Sequence, residues 1–208
     1  MIVAFPFALF IGWILARRDF FGKALFEGFL HLPLVMPPVT TGYLLLILLG
    51  SQGLPGRFLI EHFGIRLAFT QTAAIIAAVV VSFPLITRSV RTAIEMVDPR
   101  MEAASRTLGI TPFLTFFRIT IPLALPGIIS GIVLGFARAL GEFGATITFA
   151  GNIEGETRTI PMAVYSYMQT PGKEGATLRL VIISAILSLI AMVLAEYLVR
   201  RAKKRQLK

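Results

Sequence analysis

Five runs of apolar residues, most of them near the length that crosses a lipid bilayer, constrain this chain more than anything else in it. Residues 2–16, 32–49, 69–87, 122–149 with interruptions, and 180–199 are candidate spans, since about 20 apolar residues cover the hydrocarbon core. With 56% apolar residues, 15% charged residues and a mean hydropathy of +0.80, an ordinary soluble domain is excluded. The fold class is all-α, a polytopic membrane protein with about five transmembrane helices in a single domain over 1–208. The first run is short, so it is either completed by residues upstream or stands with little tilt in a thinned bilayer. Lacking a basic leading region and an A-x-A site, it reads as a span rather than a cleaved signal peptide. The second run carries Pro33, Pro37 and Pro38. Irregular backbone is expected there first, with continuous helix only from about Val39, and lipid tolerates that only under a cover of protein.

The basic residues give an orientation. Arg17, Arg18 and Lys23 follow the first run; Arg88, Arg91, Arg100, Arg106 and Arg118 follow the third; Arg200, Arg201, Lys203, Lys204, Arg205 and Lys208 form the tail. The alternate segments hold only Arg57 with Arg66, and Arg158 with Lys173. Fourteen against four places the N-terminus outside, the C-terminus in the cytoplasm, and residues 98–122 on the cytoplasmic side. The net charge of +9 then follows from topology, and no nucleic-acid partner is needed to explain the tail. There is no cysteine, so neither a disulfide framework nor a thiolate metal site can form. His31 and His62 stand apart and read as interfacial or loop residues, so no metal site is expected.

The longest polar interruption runs from Asp98 to Pro122. Asp98 suits an N-cap, Pro99 the first helical position and Gly109 the left-handed residue just past a helix end, which delimits a helix of about three turns. On it Met101, Ala104, Ser105 and Leu108 fall at i, i+3, i+4 and i+7 and make one apolar-to-small face. A second helix starts at once, with Thr111 as cap and Pro112 in the first position, and Phe113, Phe116 and Phe117 give it an aromatic side for the membrane boundary. On spacing alone the first helix could be a plain connector.

Ala103-Ala104-Ser105, Gly109 and Ile119-Thr120-Ile121-Pro122 nevertheless resemble the cytoplasmic "EAA" loop of ABC-importer permeases. In that pattern a Glu-Ala-Ala triplet is followed by Gly six residues after its first member, and later by Ile-x-Leu-Pro. Counting back from Gly109 puts Ala103 where the family has Glu and Ser105 on the last Ala. Counting from Glu102-Ala103-Ala104 brings Gly109 one residue late. The first register also aligns Ile119 and Pro122. The resemblance implies that Glu102, Ala103, Ala104, Ser105, Leu108 and Gly109 couple the chain to an ATPase.

The fourth run combines small residues with charge. Gly127, Gly131, Gly135 and Ala139 recur every four residues, a stripe that lets another helix approach backbone to backbone. Arg138 and Glu142 share a helical face, and Gly141 and Gly144 loosen the helix around the acid. Charges at membrane depth tend to face a bundle interior or a wet path. The pair is therefore either an ion pair that fixes helix packing or, with Gly144 and Thr146, part of a translocation path or gate; backbone N–H groups near Gly141–Thr148 are candidate donors to a passing anion. Further on, Pro161 opens a short helix whose Met162, Tyr165 and Met168 suit an interface or a partner.

Gly141-Glu142-Phe143-Gly144-Ala145, Gly151-Asn152-Ile153 and Gly155-Glu156-Thr157-Arg158-Thr159-Ile160-Pro161 resemble the sulfate and molybdate importer permeases, the last block and Tyr165 the molybdate members in particular. With His31-Leu32-Pro33-Leu34-Val35-Met36-Pro37-Pro38, the resemblance extends from about Phe5 to the tail. It implies a permease in the prokaryotic inner membrane that moves molybdate by alternating access, with sulfate or tungstate as alternative cargo. It also implies the partners: a second copy of the chain, two ATP-binding cassette subunits and an extracytoplasmic oxyanion-binding protein. No phosphate-binding Gly-x-x-x-x-Gly-Lys-Ser/Thr loop occurs, so the chain is expected to be no enzyme, with ATP and Mg on the partner subunit and no cofactor of its own. A secondary transporter would be longer with repeated halves, and a membrane-embedded enzyme would need a nucleophile–base or metal cluster.

Overall fold

The computed structural model describes residues 3–206, which form helices and connecting turns with no strand among them. Ile2 of the first run and Lys208 of the basic tail lie outside the described residues. The helices are α1 Ala4–Arg17, α2 Lys23–Val35, α3 Pro38–Leu49, α4 Leu54–Phe63, α5 Gln71–Glu95, α6 Pro99–Thr107, α7 Pro112–Thr115, α8 Ile121–Leu140, α9 Gly144–Phe149, α10 Ile160–Met168 and α11 Glu174–Gln206, with a π turn over Phe116–Thr120. Among the described residues, three stretches are long and apolar enough to cross a membrane: Gln71–Glu95, Pro112–Leu140 and Glu174–Ala202. The pair α2 and α3, bent by 114°, supplies a fourth if it is one span, while α1 is apolar but shorter.

One stretch departs from the sequence reading. Helix α2 runs through Pro33 to Val35, and the break falls at Met36–Pro37, so the expected irregular segment before Val39 is mostly helical. The physical reason is position: Pro33 sits in the last turn, where one lost backbone bond is tolerable, whereas Pro37 and Pro38 in sequence stop the first helix and start the second. The interruption expected in the run 122–149 falls between Leu140, where α8 ends, and Gly144, where α9 starts, and the helical stretch begins upstream at Pro112. Inside α5, Ser82 and Thr87 are buried and their hydroxyls donate back to the Ala78 and Phe83 carbonyls at 2.7 and 3.0 Å. Such back-bonding satisfies hydroxyls that lipid or protein would otherwise leave unpaired.

The chain forms two compact units. The first comprises Met1–Phe29, Phe83–Phe136 and Ile190–Lys208. Its core joins Ala8 of α1, Ile86, Val90, Ala93 and Ile94 of α5, and Ala124 and Ile128 of α8. Small residues set the spacing: a Cβ on Gly12 would lie 2.7 Å from Val90 Cγ1, and one on Gly127 or Gly131 would lie 2.5 or 2.6 Å from the Cβ of Ala93 or Ser89. Close backbone approach of this kind replaces the hydrophobic effect as the packing force between spans.

The second unit comprises Leu30–Ser82 and Ala137–Leu189. Its core joins Ala73, Ala77 and Val81 of α5 to Ala145, Phe149 and Ala150 at α9, with Leu45, Leu46 and Leu49 of α3 against them. A Cβ on Gly42 would meet the Ala145 carbonyl oxygen at 2.5 Å, and one on Gly144 would meet Pro38 Cβ at 2.8 Å. Gly144, the first residue of α9 after the break at 141–143, therefore also serves the contact of α9 with α3. The role of Gly42 carried no periodic signal and was missed.

Candidate functional site

In the first unit, the capping chemistry read from the sequence delimits α6. The Asp98 carboxylate accepts from the Arg100 N–H at 2.8 Å, Pro99 follows it, and Gly109 takes φ +79° just past the end. Nothing crowds Gly109, so the residue is required there by backbone angle alone. Thr111 caps the next helix by accepting from Leu114 N–H at 3.4 Å.

The faces of α6 are not those the periodicity suggested. Glu102 and Ser105 are buried, whereas Ala103 and Ala104 are exposed and Met101 and Leu108 are 52% and 80% exposed. Of the expected face of Met101, Ala104, Ser105 and Leu108, only Ser105 turns inward. The reason lies in what the fold brings beneath α6, a basic end and two hydroxyls. Glu102 Oε1 accepts from Arg17 Nη2 at 2.9 Å and from Thr120 Oγ1 at 2.7 Å. Arg17 Nη2 also donates to the Val97 carbonyl at 3.0 Å, and the hydroxyls of Ser105 and Thr115 lie 2.8 Å apart. A buried carboxylate stays charged at tolerable free energy only when such donors surround it.

The π turn makes this convergence possible. Its closing bond runs from Ile121 N–H to the Phe116 carbonyl, one residue further than in an α-helix. In an unbroken α-helix residues five apart point to different sides; with the extra residue, Thr115 and Thr120 both reach α6. The Trp13 and Phe116 rings meet edge to face at 5.7 Å beside it. Arg17 entered the sequence reading only through the charge count and Thr120 only within the 119–122 motif, because what marks each is a partner 85 or 18 residues away.

In the second unit, Arg138 and Glu142 do pair, with Arg138 Nη1 donating to Glu142 Oε2 at 2.5 Å. The carboxylate's other oxygen accepts from the Ala145 N–H at 2.7 Å, which caps α9. One of the backbone N–H groups suggested as an anion donor is thus already committed. Thr146 is buried and its hydroxyl bonds to the Glu142 and Phe143 carbonyls. The Glu142 side chain is 2% exposed and that of Arg138 30%. Beyond α9, Arg158 Nε donates to Asn152, whose side-chain nitrogen donates to Ser166, and this network orders the approach to α10. There Met162 is buried, while Tyr165 and Met168 are exposed.

The family described as binding-protein-dependent transport system inner membrane component matches residues 8–204. Over 205 residues, 99% of this chain and 90% of each relative, the chain is 53% identical to the molybdenum transport system permease protein ModB of Escherichia coli strain K12 and 50% identical to that of Haemophilus influenzae. It is 36% identical over 94% of its length, and 70% of the relative's, to the sulfate transport system permease protein CysW of a Synechocystis strain. Its fold is similar to a chain of the MetNI methionine ABC transporter, with TM-score 0.73 and 19% identity, covering 97% of this chain and 88% of the other. A polytopic helical chain with these caps, matched over nearly its full length, belongs to the family of binding-protein-dependent transport system inner membrane components.

Proposed function

We propose that this chain is the membrane permease of an ATP-driven molybdate importer. The observation that carries this is identity of about half to the two molybdenum permeases across 99% of the chain. Two copies would enclose one path, with an ATP-binding cassette subunit beneath each copy, holding ATP and Mg, and an extracytoplasmic oxyanion-binding protein above. In this reading the N-terminus faces outward and the C-terminus the cytoplasm, supported by the skewed distribution of Lys and Arg.

The geometry of α6 supports its role as the docking helix. Met101, Ala104 and Leu108 present an unburied apolar side, while Glu102 and Ser105 hold the neighbouring side down. The ATPase groove would take the exposed side, and closure of the ATPase dimer would draw the two α6 helices together and open the path outward. Of the suggested path residues, Arg138 has a part-exposed side chain that could meet an anion, whereas Glu142 and Thr146 are committed to the turn. A binding protein supplies affinity, so weak contacts along the path suffice.

The test is uptake by proteoliposomes holding the chain with its cognate ATPase and binding protein. ATP-dependent accumulation of molybdate that excess sulfate leaves intact is expected. Uptake of sulfate in preference to molybdate would move the assignment to the sulfate permeases, and no ATP dependence would end it.

A further inference from the structure

Docking explains the outer side of α6 and leaves its inner side unexplained. An amphipathic helix can be held down by apolar contacts alone, yet here a carboxylate does it, with desolvation working against it. Three donors converge on the single atom Glu102 Oε1: Arg17 Nε at 3.3 Å, Arg17 Nη2 at 2.9 Å and Thr120 Oγ1 at 2.7 Å. They come from the last residue of α1 and the last residue of the π turn that leads into α8. Arg17 also reaches the Val97 carbonyl, just past the end of α5. The end of α1 and the turn leading into α8 thus meet one side chain of α6, and Arg17 ties the end of α5 to the same cluster.

We propose that Glu102, Arg17 and Thr120 are positioning residues that relay displacement of α6 to α1, α5 and α8 as one body. The proposal rests on reading α6 as the docking helix. What distinguishes this cluster from ordinary packing is direction. Apolar side chains slide past one another with little resistance, while charge-assisted hydrogen bonds hold distance and angle. The π turn supports the same reading, since its extra residue is what aims Thr120 at Glu102 while Thr115 holds Ser105 one turn earlier. A turn of this kind inside a span weakens regular helix bonding and persists where a contact needs it.

The experiment uses the complete transporter in proteoliposomes, with molybdate as the transported probe. It reads ATP hydrolysed per molybdate imported, and the amount of ATPase subunit that copurifies. Thr120→Val replaces the hydroxyl with a methyl of similar size; ATP consumed per molybdate is expected to rise about tenfold, with full retention of the ATPase subunit. Thr120→Ser restores the hydroxyl and is expected to give the unmodified ratio. Glu102→Gln, which keeps an acceptor for Thr120 and removes the charge opposite Arg17, gives an independent reading and is expected to raise the ratio about fivefold. Unmodified ratios in both Thr120→Val and Glu102→Gln, with the ATPase retained, overturn the relay and leave docking intact. Loss of the ATPase subunit from Thr120→Val also overturns it, because the cluster then only shapes the docking surface. If the unmodified complex itself retains no ATPase subunit, the docking reading falls first, and the relay with it.

Discussion

Two buried glutamates, each paired with an arginine, do opposite work. Glu142 is bound to Arg138 four residues away and to the N–H of Ala145 three residues on, so everything it holds is its own turn. Glu102 is bound to Arg17 from 85 residues away and to Thr120 from 18, so what it holds is the junction of separate segments. The first pair is a local cap that a spacing rule finds. The second exists only once the chain has folded, and its loss is felt by several helices at once.

The largest expected effect comes from breaking the long-range pair. Glu102→Ala leaves Arg17 and Thr120 without their acceptor in a mostly buried place, with a loss of about 3–5 kcal/mol, read as a lowered thermal midpoint in detergent. Next stands Gly42→Val, whose new side chain would be driven into the Ala145 backbone; about 3 kcal/mol is expected by the same measurement. Gly109→Val places a β-branched residue at φ +79° and is expected to cost about 1–2 kcal/mol. Because the strain falls where α6 ends, ATP hydrolysis should continue without matching uptake while the subunit remains in the membrane. The smallest is Glu142→Gln, whose one oxygen keeps the acceptor for Ala145 while its amide nitrogen gives up the bond from the part-exposed Arg138. About 1 kcal/mol is expected with the molybdate uptake rate unchanged, whereas Arg138→Gln should slow uptake. A rate loss in Glu142→Gln at unchanged stability would instead place both charges in the path, and the contrast between the two glutamates would narrow.

Legibility in the sequence divides along the same line. The caps at Asp98, Thr111 and Gly109 were legible because each is settled between one residue and the next few backbone groups. The apolar runs fall on the long helices because hydropathy adds up within one segment, though not at their ends, where the helical stretch through α8 begins upstream at Pro112. The inward side of α6 was not legible: periodicity groups Met101, Ala104, Ser105 and Leu108, but a helix in a polar loop buries whatever matches the groups beneath it. Here those groups are a guanidinium and two hydroxyls delivered by α1, α7 and the π turn. Gly42 was invisible for a related reason, since only the arrival of Ala145 makes a missing side chain necessary there. Pro33, read as a helix breaker, is accommodated near a helix end.

The π turn at Phe116–Thr120 has an effect beyond the hydroxyl it aims. Each residue added to an α-helix rotates the remainder of that helix by about 100°. The extra residue therefore fixes the azimuth of α8, and with it the side from which Gly127 and Gly131 offer their bare backbone to Ala93 and Ser89. Excising a single residue from this turn would swing that smooth seam away from α5 while leaving every downstream residue chemically unaltered.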